Sequence, residues 1–182
     1  NDLLDLSRLQ AGMRLPEREV FDLTESVRAV LHRYDKLTGH DGYRITFLAD
    51  CDVLVSADRT MILQVVYNLI NNAINYCGDD KVIEVAQTLC EDGTVRLSVR
   101  DHGAGIDPEQ LPYIWDRYYK VDKVHRRAMI GTGLGLSIVK QILEAHHTTY
   151  GVESKEGDGS TFWFELPVEA AKTDAVPPEK LS

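Results

Sequence analysis

Cysteine is scarce: the 182 residues hold three, Cys51, Cys77 and Cys90. The number is odd and no two of them form a C-x-x-C pair, which argues against a disulfide framework or a zinc site and for a reducing compartment. Long apolar runs are missing too. No stretch reaches the roughly 18 residues that a membrane-spanning helix needs, and no signal-peptide pattern opens the chain. Positive charge is in short supply, with 20 Lys and Arg against 29 Asp and Glu and a formal net charge of -9. A protein that wraps nucleic acid needs a basic surface to displace counterions, so nucleic acid is not the expected partner. A small phosphorylated ligand stays open, because a few backbone amides and one or two cations hold it locally. There is no initiating Met: the chain opens on Asn1 inside a helical pattern and reads as a fragment of something longer.

What is present is a globular composition, 43% hydrophobic and 27% charged, of a length that supports one well-cored domain. Leu3, Leu6, Leu9 and Met13 make one helical stripe that Gly12 and Pro16 stop. A second helix is expected over 22–37, with Asp22 as N-cap and Glu25 three positions on, followed by a glycine-flanked turn. Strands are expected over 43–49 and 52–57, then a long helix from Asp58 to about Cys77. Strands over 82–89 and 94–101 are joined by a Cys-Glu-Asp-Gly turn. Residues 102–131, rich in glycine, proline, aromatics and basic residues, are too long for an ordinary connection and read as a functional loop or lid. A helix from Leu134 to about His147 and two closing strands follow, and the tail from Ala170 lacks apolar periodicity and reads as disordered. The expected divisions are thus 1–15, 16–169 and 170–182.

Three segments carry chemistry. On the helix over 64–76, Gln64, Asn68, Asn72 and Asn75 fall within roughly 80° of one another, while Ile62, Val66, Leu69, Ile70 and Ala73 lie opposite. Asparagine is a mediocre helix former, so the cluster is either a solvated face or a set of amides that completes the shell of a hard cation such as Mg²⁺. Asp101-His102-Gly103-Ala104-Gly105-Ile106 closes a strand. It is either a glycine turn with a solvated carboxylate or a site where Asp101 accepts from an exocyclic amine such as that of adenine. Gly131-Thr132-Gly133-Leu134-Gly135-Leu136 runs directly into a helix, either as a hinge or as a cradle of free N–H groups for an anion. It is not a P-loop, since no Gly-Lys-Ser/Thr follows, and it lacks the strand and spacing of a dinucleotide fingerprint. The three segments succeed one another at intervals of roughly 30 residues and together supply every part of an ATP site.

In this combination the chain resembles the ATP-binding catalytic domain of sensor histidine kinases, in the GHKL ATPase superfamily. NLINNAINY resembles the N box, DHGAGI the G1 box, GTGLGL the G2 box, IWDRYYKVDK the F box with Trp115 in place of Phe, and GDGSTFWFELP the last glycine turn and strand. The opening NDLLDLSRLQAG resembles the end of a dimerisation and phosphoacceptor helix. The resemblance implies a two-layer α/β sandwich, a mixed sheet of about five strands backed by about three helices. It implies Asn72 as principal Mg²⁺ ligand with Asn68 beside it, Asp101 on the adenine amine, Gly103 and Gly105 for close approach, and Tyr76 and Ile106 against the base. Gly131, Thr132, Gly133, Leu134, Gly135 and Leu136 would embrace the phosphates, Thr161 would reach the adenine through water, and Lys120 would clamp the transferring phosphoryl group.

Two positions depart from the pattern. Asn75 stands where many members carry a basic residue that reaches a phosphate, and Lys123, Arg126 or Arg127 could substitute. His146-His147-Thr148-Thr149 replaces His-Gly-Gly and puts that turn in doubt. None of the six histidines (32, 40, 102, 125, 146, 147) sits in an H-E/D-x-R-T-P acceptor context, so the resemblance places the acceptor on a domain upstream of Asn1. The implied protein is a homodimeric, membrane-anchored kinase whose cytoplasmic catalytic domain uses ATP and Mg²⁺ and serves a response regulator. The competing readings are a degenerate nucleotide-binding regulatory module, and another GHKL ATPase or serine kinase.

Overall fold

The computed structural model describes residues 15–116 and 134–172. Strand β1 (Glu19–Asp22) leads into helix α1 (Leu23–Leu31), whose N-terminus is capped by the Asp22 carboxylate accepting from the Glu25 N–H at 2.8 Å. A 3₁₀ turn (His32–Tyr34) and a short helix α2 (Asp35–His40) continue it, so helical structure runs past residue 37 into the segment expected to turn. Strands β2 (Arg44–Ala49) and β3 (Asp52–Ala57) follow, and Asp58 then caps helix α3 (Arg59–Tyr76) through the Met61 N–H at 3.0 Å. Strands β4 (Val82–Leu89) and β5 (Thr94–Asp101) form the expected hairpin, and helix α4 (Gly135–His146) precedes strands β6 (Tyr150–Lys155) and β7 (Gly159–Lys172).

The strands make one mixed sheet in the order β1-β3-β7-β5-β4-β2, with β6 also on β7. The β2–β4 pairing is parallel and the others are antiparallel. There are thus seven strands and four α-helices among the described residues, where six strands are read along the chain and the resemblance implies about five with about three helices. The strand that the sequence does not announce is β1, a four-residue edge strand that exists because β3 offers it a partner, and β7 runs longer than its sequence suggests. Up to Pro167 the strand pairs with β5; beyond it, residues 170–172 pair with Leu54, Val53 and Asp52 of β3. The tail expected to start at Ala170 therefore begins as strand, and residues 173–182 lie outside the described ones, as does the helix expected over 1–13.

Alternation puts Val53, Val55 and Ala57 of β3, Val95, Leu97 and Val99 of β5 and Phe162, Phe164 and Leu166 of β7 on the face that buries α1, α3 and α4. On the other face Arg96 lies 4.0 Å from the Trp163 ring centroid and bonds Glu165 at 2.7 and 2.9 Å. Helix α4 ends with His147 in the left-handed region (φ 57°), its N–H donating to Glu144 O and that of Thr148 to Leu143 O. That is a Schellman closure in which a histidine takes the usual glycine position, so the turn forms despite the unusual sequence.

His146 is 2% exposed and joins three parts of the chain. Its Nε2 accepts from the Asp58 N–H (3.1 Å), its Nδ1–H donates to Ile142 O (2.8 Å), and its carbonyl accepts from Arg18 (2.9 Å). One ring nitrogen must accept, so the ring is neutral, and burial holds its pKa below the ordinary 6.5. The unfolded chain therefore binds a proton that the folded one refuses as pH falls below 6.5, and stability drops with it. We expect stability to fall on acidification from pH 6.5, by at most about 1.4 kcal/mol per pH unit for this one proton. Urea titrations below that pH should show it, and His146→Gln should flatten the slope. His102, whose pKa is raised chiefly by its hydrogen bond to Asp80, contributes only above 6.5 and leaves this window clear.

Candidate nucleotide site

The inward series Val95, Leu97, Val99 of β5 ends on Asp101, so the same parity that builds the core points this carboxylate into the helix layer at 2% exposure. Its Oδ1 accepts from the Gly103 N–H at 2.8 Å. Burial pushes the carboxyl above the ordinary value of 3.8, while hydrogen bonds from the Gly103 and Ser160 N–H groups pull the other way. The chain then folds back tightly. A Cβ on Gly103 would run into the Tyr76 carbonyl at the end of α3, and one on Gly105 (φ 74°) into the Lys155 carbonyl. The room these two glycines leave is thus taken up by this chain's own backbone. Two bonds fasten the loop to the β6–β7 hairpin: Gly157 N–H to Ala104 O (2.7 Å) in the turn and Ile106 N–H to Ser154 Oγ (2.9 Å) at the end of β6.

Helix α3 runs from this loop to the start of α4. Met61, Ile62, Val65, Val66, Leu69, Ile70 and Ala73 are buried, and Gln64, Asn68, Asn72 and Asn75 form a half-buried polar face. Asn71 is on another side, where its Oδ1 accepts from Tyr34 OH at 3.1 Å, which accounts for one asparagine structurally. At one end of the polar face Tyr76 is 36% exposed beside the Asp101 loop. At the other end the Asn68 Oδ1 lies 3.7 Å from where a Gly135 Cβ would sit, in the first turn of α4. Leu134 is 2% exposed, and no side chain caps α4, so its first N–H groups have no side-chain acceptor among the described residues. Eight residues separate Asn68 from Tyr76, about 12 Å at 1.5 Å per residue. That is a span of the order of an extended nucleotide, with the carboxylate at one end and the free helix terminus at the other.

The structure thus brings together Asn68, Asn72, Asn75, Tyr76, Asp101, Gly103, Gly105, Ile106 (9% exposed), Leu134, Gly135 and Leu136 along one side of the sheet. Lys120, Lys123, Gly131, Thr132 and Gly133 lie outside the described residues. Thr161 is not brought into this group. It pairs in register with Arg100 and Glu153 on the outward parity of β7, away from the helix layer. Ser160, 6% exposed, is the register partner of Asp101 and shares its side. The signal was in the sequence: Ser160 has the parity of Phe162, Phe164 and Leu166. Trp115 packs edge-on to Tyr150 and Phe162, with ring centroids 5.1 and 5.6 Å apart, and ties the residues up to 116 to the sheet.

A sandwich of this topology, with its carboxylate loop and amide-bearing helix, defines the class. Residues 57–170 match the family described as histidine kinase-, DNA gyrase B- and HSP90-like ATPases, and the chain belongs to that family. It is similar to the sensor-like histidine kinase SenX3 of Mycobacterium bovis, 33% identical over 178 residues that make up 97% of this chain and 43% of the relative. Full-length ShkA in complex with AMPPNP matches with a TM-score of 0.79 and 27% identity, over 94% of this chain and 36% of that one. The catalytic domain of the histidine kinase ThkA, nucleotide-free, matches with a TM-score of 0.72 and 32% identity, over 83% and 95%. ThkA in complex with the response regulator protein TrrA matches with a TM-score of 0.69 and 28% identity, over 91% and 46%. The chain spans less than half the length of the curated relative it matches.

Proposed function

We propose that this chain is the part of a sensor histidine kinase that binds Mg-ATP and delivers the γ-phosphoryl group to a histidine on a separate dimerisation domain. The observation that carries the reading is Asp101, a buried carboxylate held at one end of α3 whose other end meets the uncapped start of α4. Asp101 accepts from the adenine amine, Tyr76 and Ile106 bracket the base, and the first N–H groups of α4, from Gly135 and Leu136 on, take phosphate oxygens. Lys120 neutralises charge on the transferring group, Lys123, Gly131, Thr132 and Gly133 close over the phosphates, and Asn75 faces them without a charge. The phosphoryl group leaves the β-phosphate oxygen as ADP is formed and bonds to a ring nitrogen of the acceptor, a step that depends on position and charge neutralisation.

The residues fit a magnesium ion. The Asn68 Nδ2 is buried and finds no acceptor among the described residues, a deficit worth about 1–3 kcal/mol that a phosphate oxygen would remove. Asn72, one turn on, and the Asn68 Oδ1 are hard oxygen donors, and no cluster of three His, Cys, Asp or Glu exists among the described residues. A cation held here takes its remaining oxygens from phosphate and water, the usual habit of Mg²⁺, which would neutralise phosphate charge. In the whole protein the product histidine would serve a response regulator, as the ThkA complex suggests by likeness. A homodimer anchored in a membrane, with this domain in the cytoplasm, is the architecture we assign to the parent.

Titration of the 182-residue chain with a fluorescent ATP analogue should show magnesium-dependent binding and no stable phosphate on any of its own six histidines. Magnesium-independent or absent binding would favour a regulatory module instead, and stable self-phosphorylation on histidine would overturn the assignment. Asn72→Asp sets a negative charge against the phosphates and removes an N–H donor. It should weaken Mg-ATP binding about tenfold or more while leaving the melting temperature within a few degrees, because the residue is half-buried on a polar face.

A further inference from the structure

We propose that Ser154 determines base specificity at this site, by fixing the Ser160 hydroxyl as a hydrogen-bond acceptor beside Asp101. The inference rests on the nucleotide reading above. Ser154 lies on β6, outside the three segments that the sequence marks. Its Oγ is 2.9 Å from each of three atoms: the Ile106 nitrogen, the Gly159 carbonyl oxygen and the Ser160 Oγ.

A hydroxyl has one proton and two lone pairs. The Ile106 N–H can only donate and the Gly159 carbonyl can only accept. The Ser154 proton is therefore committed to Gly159, one lone pair is committed to Ile106, and the contact with Ser160 is satisfied only if Ser160 donates. With its proton spent on Ser154, Ser160 has lone pairs alone to offer elsewhere. Ser160 is the register partner of Asp101 and lies on the same side of the sheet. An ionised Asp101 is also an acceptor, so the wall presents two acceptors side by side. Such a wall suits a base edge that carries an amino group at position 6, as adenine does, and leaves a carbonyl at that position facing oxygens without a proton between them. Sites built on hydrogen-bond polarity discriminate more sharply than apolar pockets, because a mismatch strands buried polar groups.

The test is displacement of a fluorescent ATP analogue from the 182-residue chain by ATP and by ITP, which differ at base position 6. The wild type should prefer ATP. Ser154→Ala frees the Ser160 proton to turn toward a carbonyl, and the ATP-over-ITP preference should fall about tenfold, or about 1.4 kcal/mol. Ser154→Thr keeps the hydroxyl and should keep the preference. Ser160→Ala leaves the Ser154 bonds to Ile106 and Gly159 in place and should also lose it, so it decides the matter if Ser154→Ala does not fold. A purely structural role would weaken both nucleotides by the same factor. An unchanged ratio in Ser154→Ala or in Ser160→Ala, or a ratio lost in Ser154→Thr, overturns the proposal. A wild type that prefers ATP but shows any of these outcomes leaves the nucleotide reading standing, whereas a wild type that binds neither nucleotide removes both.

Discussion

Asparagine at position 101 should cost about a hundredfold in ATP affinity and leave the ligand-free fold as stable as before, or more so. The two effects have one origin. Asp101 is 2% exposed, and its burial already raises its pKa from 3.8 despite the two backbone N–H groups that favour the charge. A carboxylate whose folded pKa is raised binds its proton more tightly in the folded chain, so stability declines as pH rises from 3.8 through the folded value. Above that window the ionised group weighs against the fold, and Asn, which keeps an acceptor for the Gly103 N–H, has no such charge to desolvate. Binding responds the other way. The amide turns an N–H toward the amine that Asp101 is proposed to receive, which loses a charge-assisted bond and opposes two donors, together about 2.7 kcal/mol. Urea unfolding at pH 7 and nucleotide titration on the same protein check both halves. Equal affinity for ATP would remove Asp101 from the base site, and a large loss of stability would show that the carboxylate is needed to hold the loop.

Much of this was readable in the sequence because it follows from parity and capping. The position of Asp101 on the alternation Val95, Leu97, Val99 fixes its side of the sheet, and Asp22 and Asp58 announce their helices by spacing alone. What escaped depends on partners remote in the chain. The edge strand β1 and residues 170–172 have no strand pattern of their own and are extended because β3 pairs with both. The resemblance implies Thr161, and only the register with β5 puts Ser160, the hydroxyl beside it, on the side of Asp101. Ser154 carried no signal at all, since its three bonds come from the loop after β5 and the first two residues of β7. His146 read as an oddity in a glycine turn, whereas its ring joins the caps of α3 and α4 and its neighbour His147 supplies the left-handed residue.

A large loss of stability is expected at Gly105, and Gly42 shows why. Both have positive φ, 74° and 73°, so alanine at either pays the same backbone strain, about 1 kcal/mol. Their surroundings differ. A Cβ at Gly42 meets nothing within 4 Å, while one at Gly105 meets the Lys155 carbonyl and, at 3.0 Å, the Glu156 Cα. Those are backbone atoms of the β6–β7 turn and cannot swing aside as a side chain would. Relief requires that the loop and the turn part, which lengthens the bonds from Gly157 to Ala104 and from Ile106 to Ser154. Losing two partly buried hydrogen bonds adds about 2–3 kcal/mol, so Gly105→Ala should cost about 3–4 kcal/mol against about 1 for Gly42→Ala. Urea midpoints of the two variants measure the difference directly, free of the strain they share. The same parting moves Ser154 and Ser160 relative to Asp101, so Gly105→Ala should also lose ATP affinity and Gly42→Ala should not. Equal midpoints would mean that the turn yields without cost, and the clamp between the carboxylate loop and the β6–β7 turn would then not be what holds Asp101 in place.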